Sequence, residues 1–413
     1  MLNVINKYLD KLEAQGLSKK EDSTFLAVDA DLFCNRQTGD DIACLYEVLR
    51  MMNVSSLLFA SPSEPYRSII RQIVERDSEC GAGNIIVPMD CETRTFFHDF
   101  PVVDDLNPVA MAHALSRRKA VIISNLGIVT HGAFTPEQAY ISFSSACFSM
   151  FIKYFHDSLV YFDNCARNGT RIDTDYVKAF IDIARLSVVV MRRERVALRS
   201  EPPRTEDDVA AMLMEAGRAI VTRRLVDSHF GNISYIFKDH IFISRTGSSL
   251  DELEHDIDKV PLDGSSSVGI TASSELSAHK NIYLKTGLNA IMHAHPKFSV
   301  IMSMFCKEAC CDRSICHKLC AKKRFVGNTP VVSGEIGTGP TGLAGTVPAV
   351  MEEGRGVIIY GHGVFAAERD SFQKPFDMLA QIEENSRQQY ANAISDLLKH
   401  LLDSPFDGFA ESG

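Results

Sequence analysis

Two histidines stand two residues apart in Ala290-Ile-Met-His293-Ala-His295-Pro296. On a β-strand that spacing sends both imidazoles off one face, which is half of a metal site. A third imidazole, His362, follows the apolar run Gly356-Val-Ile-Ile-Tyr360 and sits between Gly361 and Gly363, where the glycines let the backbone turn sharply at a strand mouth. Three neutral imidazoles suit a catalytic divalent ion that keeps one position open for substrate. Zn2+ is the first expectation, and Mn2+, Co2+ or Fe2+ are accepted by the same donors. Just upstream, Ser273-Ser274-Glu275 adds two hydroxyls and a carboxylate able to act as a base.

Taken singly, each of these residues has a plainer reading. A lone histidine is commonly a surface or hydrogen-bonded core residue. Ser273 and Ser274 suit a helix cap, Gly231-Asn232 a turn, and Thr246-Gly247 a strand end. His279, one helical turn after Glu275, reads as a residue that packs against or orients the carboxylate rather than a ligand. The combination of three histidines with an upstream acid is what favours a metal centre.

The elements that must hold these side chains can be read from spacing. Thr205 and Asp208 predict a helix N-terminus, with an amphipathic helix continuing through Ala210 to Ile220. Gly231-Asn-Ile-Ser-Tyr-Ile-Phe and His240-Ile-Phe-Ile-Ser244 predict a hairpin about Lys238-Asp239, running into Thr246-Gly247-Ser248-Ser249. A helix is expected over Ser277 to Lys285, then the His-Ala-His strand, and a last helix from about Ser371 to Leu402.

Composition bounds the setting. A chain of 413 residues with 45% hydrophobic residues has room for two cores. Its net charge of -10 argues against nucleic-acid binding, which needs a basic surface. The N-terminus reads as an amphipathic helix without the long apolar core of a secretory signal, and no run approaches the length of a membrane span. The 11 cysteines therefore read as cytosolic thiols, and a cytoplasmic protein that binds neither membrane nor nucleic acid is expected. The boundary between domains falls near residues 192 to 208, where Arg192, Arg193, Arg195, Arg199, Pro202, Pro203 and Arg204 break the apolar pattern.

From about residue 205 to 400, the order Gly-Asn-Ile-Ser, Thr-Gly-Ser-Ser, Ser-Ser-Glu, His-Ala-His and Gly-His-Gly resembles the class II aldolase/adducin family. That family includes fuculose-phosphate and rhamnulose-phosphate aldolases and ribulose-phosphate 4-epimerase. The resemblance implies an α/β domain over residues 205–405, three-layered, with a largely antiparallel central sheet. It implies metal ligation by His293, His295 and His362, and a mobile catalytic carboxylate at Glu275. It also implies a substrate phosphate held by Asn232, Thr246, Gly247, Ser273 and Ser274. Hydroxyls, an amide and glycine-flanked backbone N–H groups can satisfy phosphate oxygens without a Lys or Arg cluster.

The implied activity is a divalent-metal-dependent aldolase-type lyase acting through an enediolate. Its substrate would be a small sugar phosphate or related hydroxy-carbonyl compound, and the chain a homo-oligomer, dimer or tetramer. A 4-epimerase or decarboxylase on the same site, and a non-catalytic adducin-like interaction protein, remain as alternatives. A tyrosine commonly serves as the acid in such aldolases, and Tyr283, Tyr360 and Tyr390 are the candidates.

One segment departs from this pattern. Cys306 with Cys310, and Cys316 with Cys320, each lie four apart and could share a helix face, which allows a second site for zinc or an iron–sulfur cluster. No Cys-x-x-Cys is present there, so buried or redox-sensitive thiols are the favoured reading. The Gly-rich stretch Pro330 to Pro340 lacks a P-loop lysine and reads as a loop offering Glu335. In the first half, residues 1–200, Lys119-Ala-Val-Ile-Ile-Ser-Asn125-Leu126-Gly127 parallels Arg355-Gly-Val-Ile-Ile-Tyr-Gly361-His362-Gly363, with Leu126 standing where His362 stands. No His-x-His precedes it. This half is expected to be a second α/β domain, either a degenerate, metal-free copy of the other or an unrelated one.

Overall fold

The computed structural model describes residues 1–79, 84–188, 196–227, 229–307, 315–320, 322–335, 337–352 and 354–402. The chain divides into two compact units, Met1–Ser158 with Ile172–Val189, and Leu159–Arg171 with Val190–Gly413. The N-terminal elements are α1 (Leu2–Ala14), β1 (Ser23–Asp29), β2 (Asp31–Cys34), α2 (Asp40–Met51), β3 (Ser56–Ala60), α3 (Tyr66–Glu79), β4 (Ile85–Ile86), β5 (Phe100–Val103), α4 (Pro108–Leu115), β6 (Ala120–Ile123), β7 (Gly127–Gly132), α5 (Pro136–Asn168) and α6 (Thr174–Ser187). Their strands form one sheet in the order β2-β1-β3-β7-β6-β5-β4. Every pairing is antiparallel except β5 with β6. Leu26, Leu57, Val121 and Val129 on one face of this sheet pack against Leu45 and Val48 of α2 and Met111 and Leu115 of α4.

The second unit follows with α7 (Glu206–Thr222), β8 (Asn232–Phe237), β9 (His240–Ser244), β10 (Ile257–Pro261), α8 (Leu276–Thr286), β11 (Ala290–Ala294), α9 (Lys297–Met304), β12 (Arg324–Val326), β13 (Thr329–Val332), α10 (Leu343–Val350), β14 (Val357–Ile359), β15 (Gly363–Glu368) and α11 (Gln373–Leu402). The sheet order is β10-β9-β8-β11-β15-β14-β13-β12, antiparallel except β13 with β14. Ile241, Ile291, Val357 and Phe365 on one face meet Ala278 and Ile282 of α8 and Leu343 and Val347 of α10. α11 packs on β11 and β15, and α9 on β14. This is the three-layer α/β arrangement that the family resemblance implies.

Local chemistry explains the boundaries. Thr205 and Asp208 close a capping box at the start of α7, satisfying amide donors that the first helical turn leaves open. The β8–β9 hairpin turns at Lys238, which adopts a left-handed φ of 54°. α9 has no side-chain cap of its own; instead the Glu383 carboxylate of α11 accepts from Phe298 N and Ser299 N, each at 2.9 Å. The stretch read as a Gly-rich loop begins later than the sequence suggests, because Pro330 to Val332 pair in β13. Apart from β10, the two sheets share one strand order and one set of strand senses, with helices interleaved at corresponding places. Among the described residues no helix is long and apolar enough to cross a membrane.

Candidate metal centre and active site

β11 is a central strand, paired with β8 on one side and β15 on the other, and all five of its residues are buried. Alternation along it puts Ile291 into the core beneath α8 and α10, so His293 stands on that same face at the strand's end and His295 one step beyond. His362 arrives from the neighbouring β14–β15 turn. Gly361 supplies a left-handed φ of 64° there, and its N–H donates to Ser303 Oγ of α9 at 2.8 Å, fixing the loop.

The three imidazoles are buried, and their side-chain nitrogens lie within 4.8 Å of one another, a grouping that could hold a metal ion. His293 Nε2 is 3.0 Å from His295 Nε2, a separation that two nitrogens each about 2.0–2.1 Å from one ion can span. The His293 Nδ1–H donates to the Val364 carbonyl at 3.1 Å, which leaves the Nε2 lone pair for a ligand role. Burial holds the His293 and His295 pKa values well below the usual histidine range, and the neighbouring His362 adds to this. The rings are neutral and therefore able to ligate. Phe365 stacks on His293 at 4.2 Å and Phe230 on His295 at 5.5 Å, fixing both rings. The donor set, its tautomer and its burial fit a divalent ion.

Glu275 is the residue preceding α8, and its side chain makes no cap bond to that helix. It reaches across instead: Oε2 lies 3.4 Å from His293 Nε2, and Oε1 lies 3.4 Å from His362 Nε2. Behind it runs a buried polar chain. Asn232 Nδ2 donates to Glu275 Oε2 at 2.8 Å, and Asn232 Oδ1 sits 2.5 Å from His279 Nε2. An amide oxygen can only accept, so His279 carries its proton on Nε2 and accepts at Nδ1 from the Ser234 hydroxyl, which in turn accepts from Tyr283. Each donor in this chain points toward Glu275. Burial pushes the His279 pKa down to about 3, so its ring is neutral.

Thr246-Gly247 and Ser273-Ser274 are neighbours through the Arg245↔Ala272 bridge. Thr246 Oγ1 donates to the Ala272 carbonyl at 2.8 Å, and the Gly247 carbonyl contacts His229 Nδ1 at 3.1 Å. Ser273 is buried and its Oγ accepts from Glu275 N at 3.3 Å, while Ser274 is exposed. Asp258 of β10 anchors this corner by accepting from Arg245 Nε at 2.8 Å and Thr271 Oγ1 at 2.6 Å. Of the tyrosines weighed as acids, Tyr283 and Tyr390 are buried. Tyr360 is half-buried two residues before His362, with the Arg324 guanidinium 5.5 Å from its ring centroid.

Sequence reasoning named Glu275 and the histidines but missed Ser234 as a partner of His279, and missed Asp258. The signal for the first was present: Glu275 at the N-cap of α8 and His279 and Tyr283 within it recur at i, i+4 and i+8, opposite alternate residues Asn232 and Ser234 of β8. In the Cys-rich segment Cys306 and Cys320 are half-buried and Cys316 is buried, while Cys310 lies outside the described residues. Glu335 pairs with Lys318 at 3.3 Å.

Strand registers give the N-terminal counterparts of these positions. Gly127 faces Ile123 and Ile128 faces Ala60, as Gly363 faces Ile359 and Val364 faces Ala294. His293, His295 and His362 thus correspond to Phe59, Ser61 and Leu126, and Asn232, opposite His293, corresponds to Thr24, opposite Phe59. Thr24 donates to Asp41 of α2, and that carboxylate is also paired with Arg36 Nη1 at 2.9 Å.

Residues 211–390 match the family model for the class II aldolase and adducin N-terminal domain. An L-fuculose phosphate aldolase of Methanocaldococcus jannaschii is 38% identical over 93 residues, 22% of this chain, so the chain spans about half (51%) of that relative's length. An L-fuculose phosphate aldolase of Methanococcus maripaludis is 31% identical over 150 residues, covering 36% of this chain and 78% of the relative. Among solved structures, an L-fuculose-1-phosphate aldolase from Thermus thermophilus is 20% identical, with a TM-score of 0.37, over 46% of this chain and 97% of that one. On the family model and the 31% identical relative, the chain belongs to the class II aldolase/adducin family.

Proposed function

We propose that this chain is a divalent-metal-dependent lyase of the aldolase type, cleaving or forming a carbon–carbon bond in a small sugar phosphate or related hydroxy-carbonyl compound. The observation that carries this reading is the buried trio His293, His295 and His362 with the Glu275 carboxylate 3.4 Å from two of its nitrogens. The three histidines would hold the ion, Zn2+ or another of similar donor preference, which when bound supplies Lewis acidity toward a carbonyl and its neighbouring hydroxyl. Glu275, displaced toward substrate, takes or returns the proton next to the carbonyl. The Asn232–His279–Ser234–Tyr283 chain keeps it oriented until then. Asn232, Thr246, Gly247, Ser273 and Ser274 receive the phosphate, and Tyr360 is the acid that this chain offers.

In the same reading, residues 205–405 are the catalytic domain, and residues 1–200 are a degenerate copy. Its Phe59, Ser61 and Leu126 cannot ligate, and its Asp41 is neutralised by Arg36. The cytoplasm, a homo-oligomeric state and thiol rather than cluster chemistry at Cys306, Cys310, Cys316 and Cys320 complete the proposal.

Elemental analysis of anaerobically purified protein, beside a His293→Ala/His295→Ala variant, tests the centre. About one divalent ion per chain, lost in the variant, followed by cleavage of L-fuculose 1-phosphate or another sugar phosphate, is the expected result. A wild type that takes up no metal on reloading overturns it in favour of a non-catalytic, adducin-like binding role. Iron or zinc retained by the variant would revive the cysteine cluster.

A further inference from the structure

The N-terminal unit contains a cavity at the sheet end opposite Leu126 and Gly127. Its volume is about 610 Å³, within the range of small-molecule sites. Although the chain carries a net charge of -10, no carboxylate among the described residues lines this cavity, whereas Arg117, Arg118, Lys119, His98 and His131 all do. Arg118 is already bound to Asp99, with Nε 2.6 Å from Oδ1. Arg117 and Lys119 are exposed and form no ion pair among the described residues. His131 also lines the wall, and burial holds its pKa below the usual histidine range.

The apolar part of the wall is equally distinctive. Phe96 exposes 45% of its surface at the cavity, with Lys119 Nζ 5.4 Å from its ring centroid, and Met51 and Met52 also line the space. Phe96 and Phe97 lie on a π-helical turn, Thr93–Phe97, which ends at His98 with a left-handed φ of 68°. Non-glycine residues in that region and π-turns both cost energy and concentrate at functional sites.

We propose that this cavity is a second ligand site, separate from the histidine centre, which binds a small oxyanion carried on a flat apolar ring. The Arg117 guanidinium and the Lys119 ammonium take the charged oxygens, Arg117 through its planar fork. The ring lies against Phe96 and the methionine side chains, with the thioether sulfurs offering soft contact to its edge. The choice of head group, phosphate or carboxylate, rests on the same cations.

Isothermal titration calorimetry of the full chain with phenyl phosphate, benzoate and inorganic phosphate tests this. Phenyl phosphate or benzoate should bind saturably and more tightly than inorganic phosphate, and the tighter of the two identifies the head group. Reversing two exposed charges in Arg117→Glu/Lys119→Glu should weaken binding at least about tenfold, the scale of losing one charged hydrogen bond. Phe96→Ala should weaken the ring ligands but not inorganic phosphate. Binding should survive Ser274→Glu, which places a negative charge at the candidate substrate-phosphate position. No saturable binding by the ring compounds, an affinity unchanged by the charge reversal, or binding abolished by Ser274→Glu would each overturn the proposal.

Discussion

Gly363→Ala is the substitution that most directly tests how the sheet builds the centre. A Cβ on Gly363 would stand 2.3 Å from the Ala294 carbonyl oxygen, 2.9 Å from His293 Cε1 and 3.0 Å from His295 Cδ2. Carbon contacts settle at about 3.5–4.0 Å, so β15 must withdraw from β11 by roughly 1 Å. The closest obstacle is backbone, and no rotamer change relieves it. Overpacking of this kind costs about 1–3 kcal/mol, and a weakened ladder bond beside the Ala294↔Val364 pair adds about 1 kcal/mol. The loss of stability should therefore be about 2–4 kcal/mol. Because the added methyl presses on both imidazoles, and Val364 also holds His293 Nδ1, metal affinity should fall about 10–100-fold, the effect of disturbing the support of a ligand.

Gly127→Ala is the internal control. Its Cβ would stand 2.4 Å from the Ala60 carbonyl oxygen and 3.1 Å from Phe59 Cε2, the same backbone collision where no ligand stands. It should cost comparable stability and leave metal affinity untouched. Competition with a chelator measures affinity, and urea unfolding measures stability. If Gly363→Ala holds metal as tightly as the wild type, or if Gly127→Ala loses it to the same degree, the assignment of the three histidines to one ion on this strand pair is wrong.

Other outcomes follow from the buried network and the caps. His279→Ala leaves Asn232 Oδ1 and the Ser234 hydroxyl without their partner, so stability should fall by about 2–4 kcal/mol. Its kcat should drop at unchanged metal content, with partial recovery in His279→Asn; full kcat in His279→Ala would remove the network from any role in positioning Glu275. The depressed His279 pKa, about 3 against 6.5, means that the folded state binds this proton less readily than the unfolded chain. Its contribution to stability is thus complete above pH 6.5 and is lost as pH falls toward 3. Melting temperature should decline through that window, and less steeply in His279→Asn. Thr205→Ala breaks the capping box of α7 and should cost about 0.5–2 kcal/mol in urea unfolding, with metal content unchanged.

The parts of this site legible in the sequence were those governed by local periodicity. The two-residue spacing of His293 and His295, the glycines around His362 and the Thr205–Asp208 cap each depend on a few neighbouring residues. What stayed hidden depends on which strands pair and in what register. The Val364 carbonyl that sets the His293 tautomer belongs to β15, and nothing local to either segment connects them. Ser234 reads as one more polar residue on a half-polar strand until β8 is laid beside α8. The first half shows the same division. Leu126 could be matched to His362 from flanking sequence, whereas Phe59 and Ser61 became counterparts of His293 and His295 only through the β3–β7 ladder. β10 escaped notice because Ile257–Pro261 alternates too briefly to separate from a loop, though its Asp258 anchors the Arg245–Thr271 corner.

The close approach of Gly127 to Ala60 carries a consequence for how such proteins can change. The N-terminal sheet holds the narrow backbone spacing of the histidine-bearing sheet although Phe59, Ser61 and Leu126 offer an ion nothing to bind. The spacing is thus a property of strand pairing, already in place before any ion arrives. Reactivity on this scaffold is a matter of a few side chains written onto a finished frame. Exchanging Phe59, Ser61 and Leu126 for histidine would ask for no new main-chain path, so a silent half of the molecule stands three codons from a blank coordination sphere.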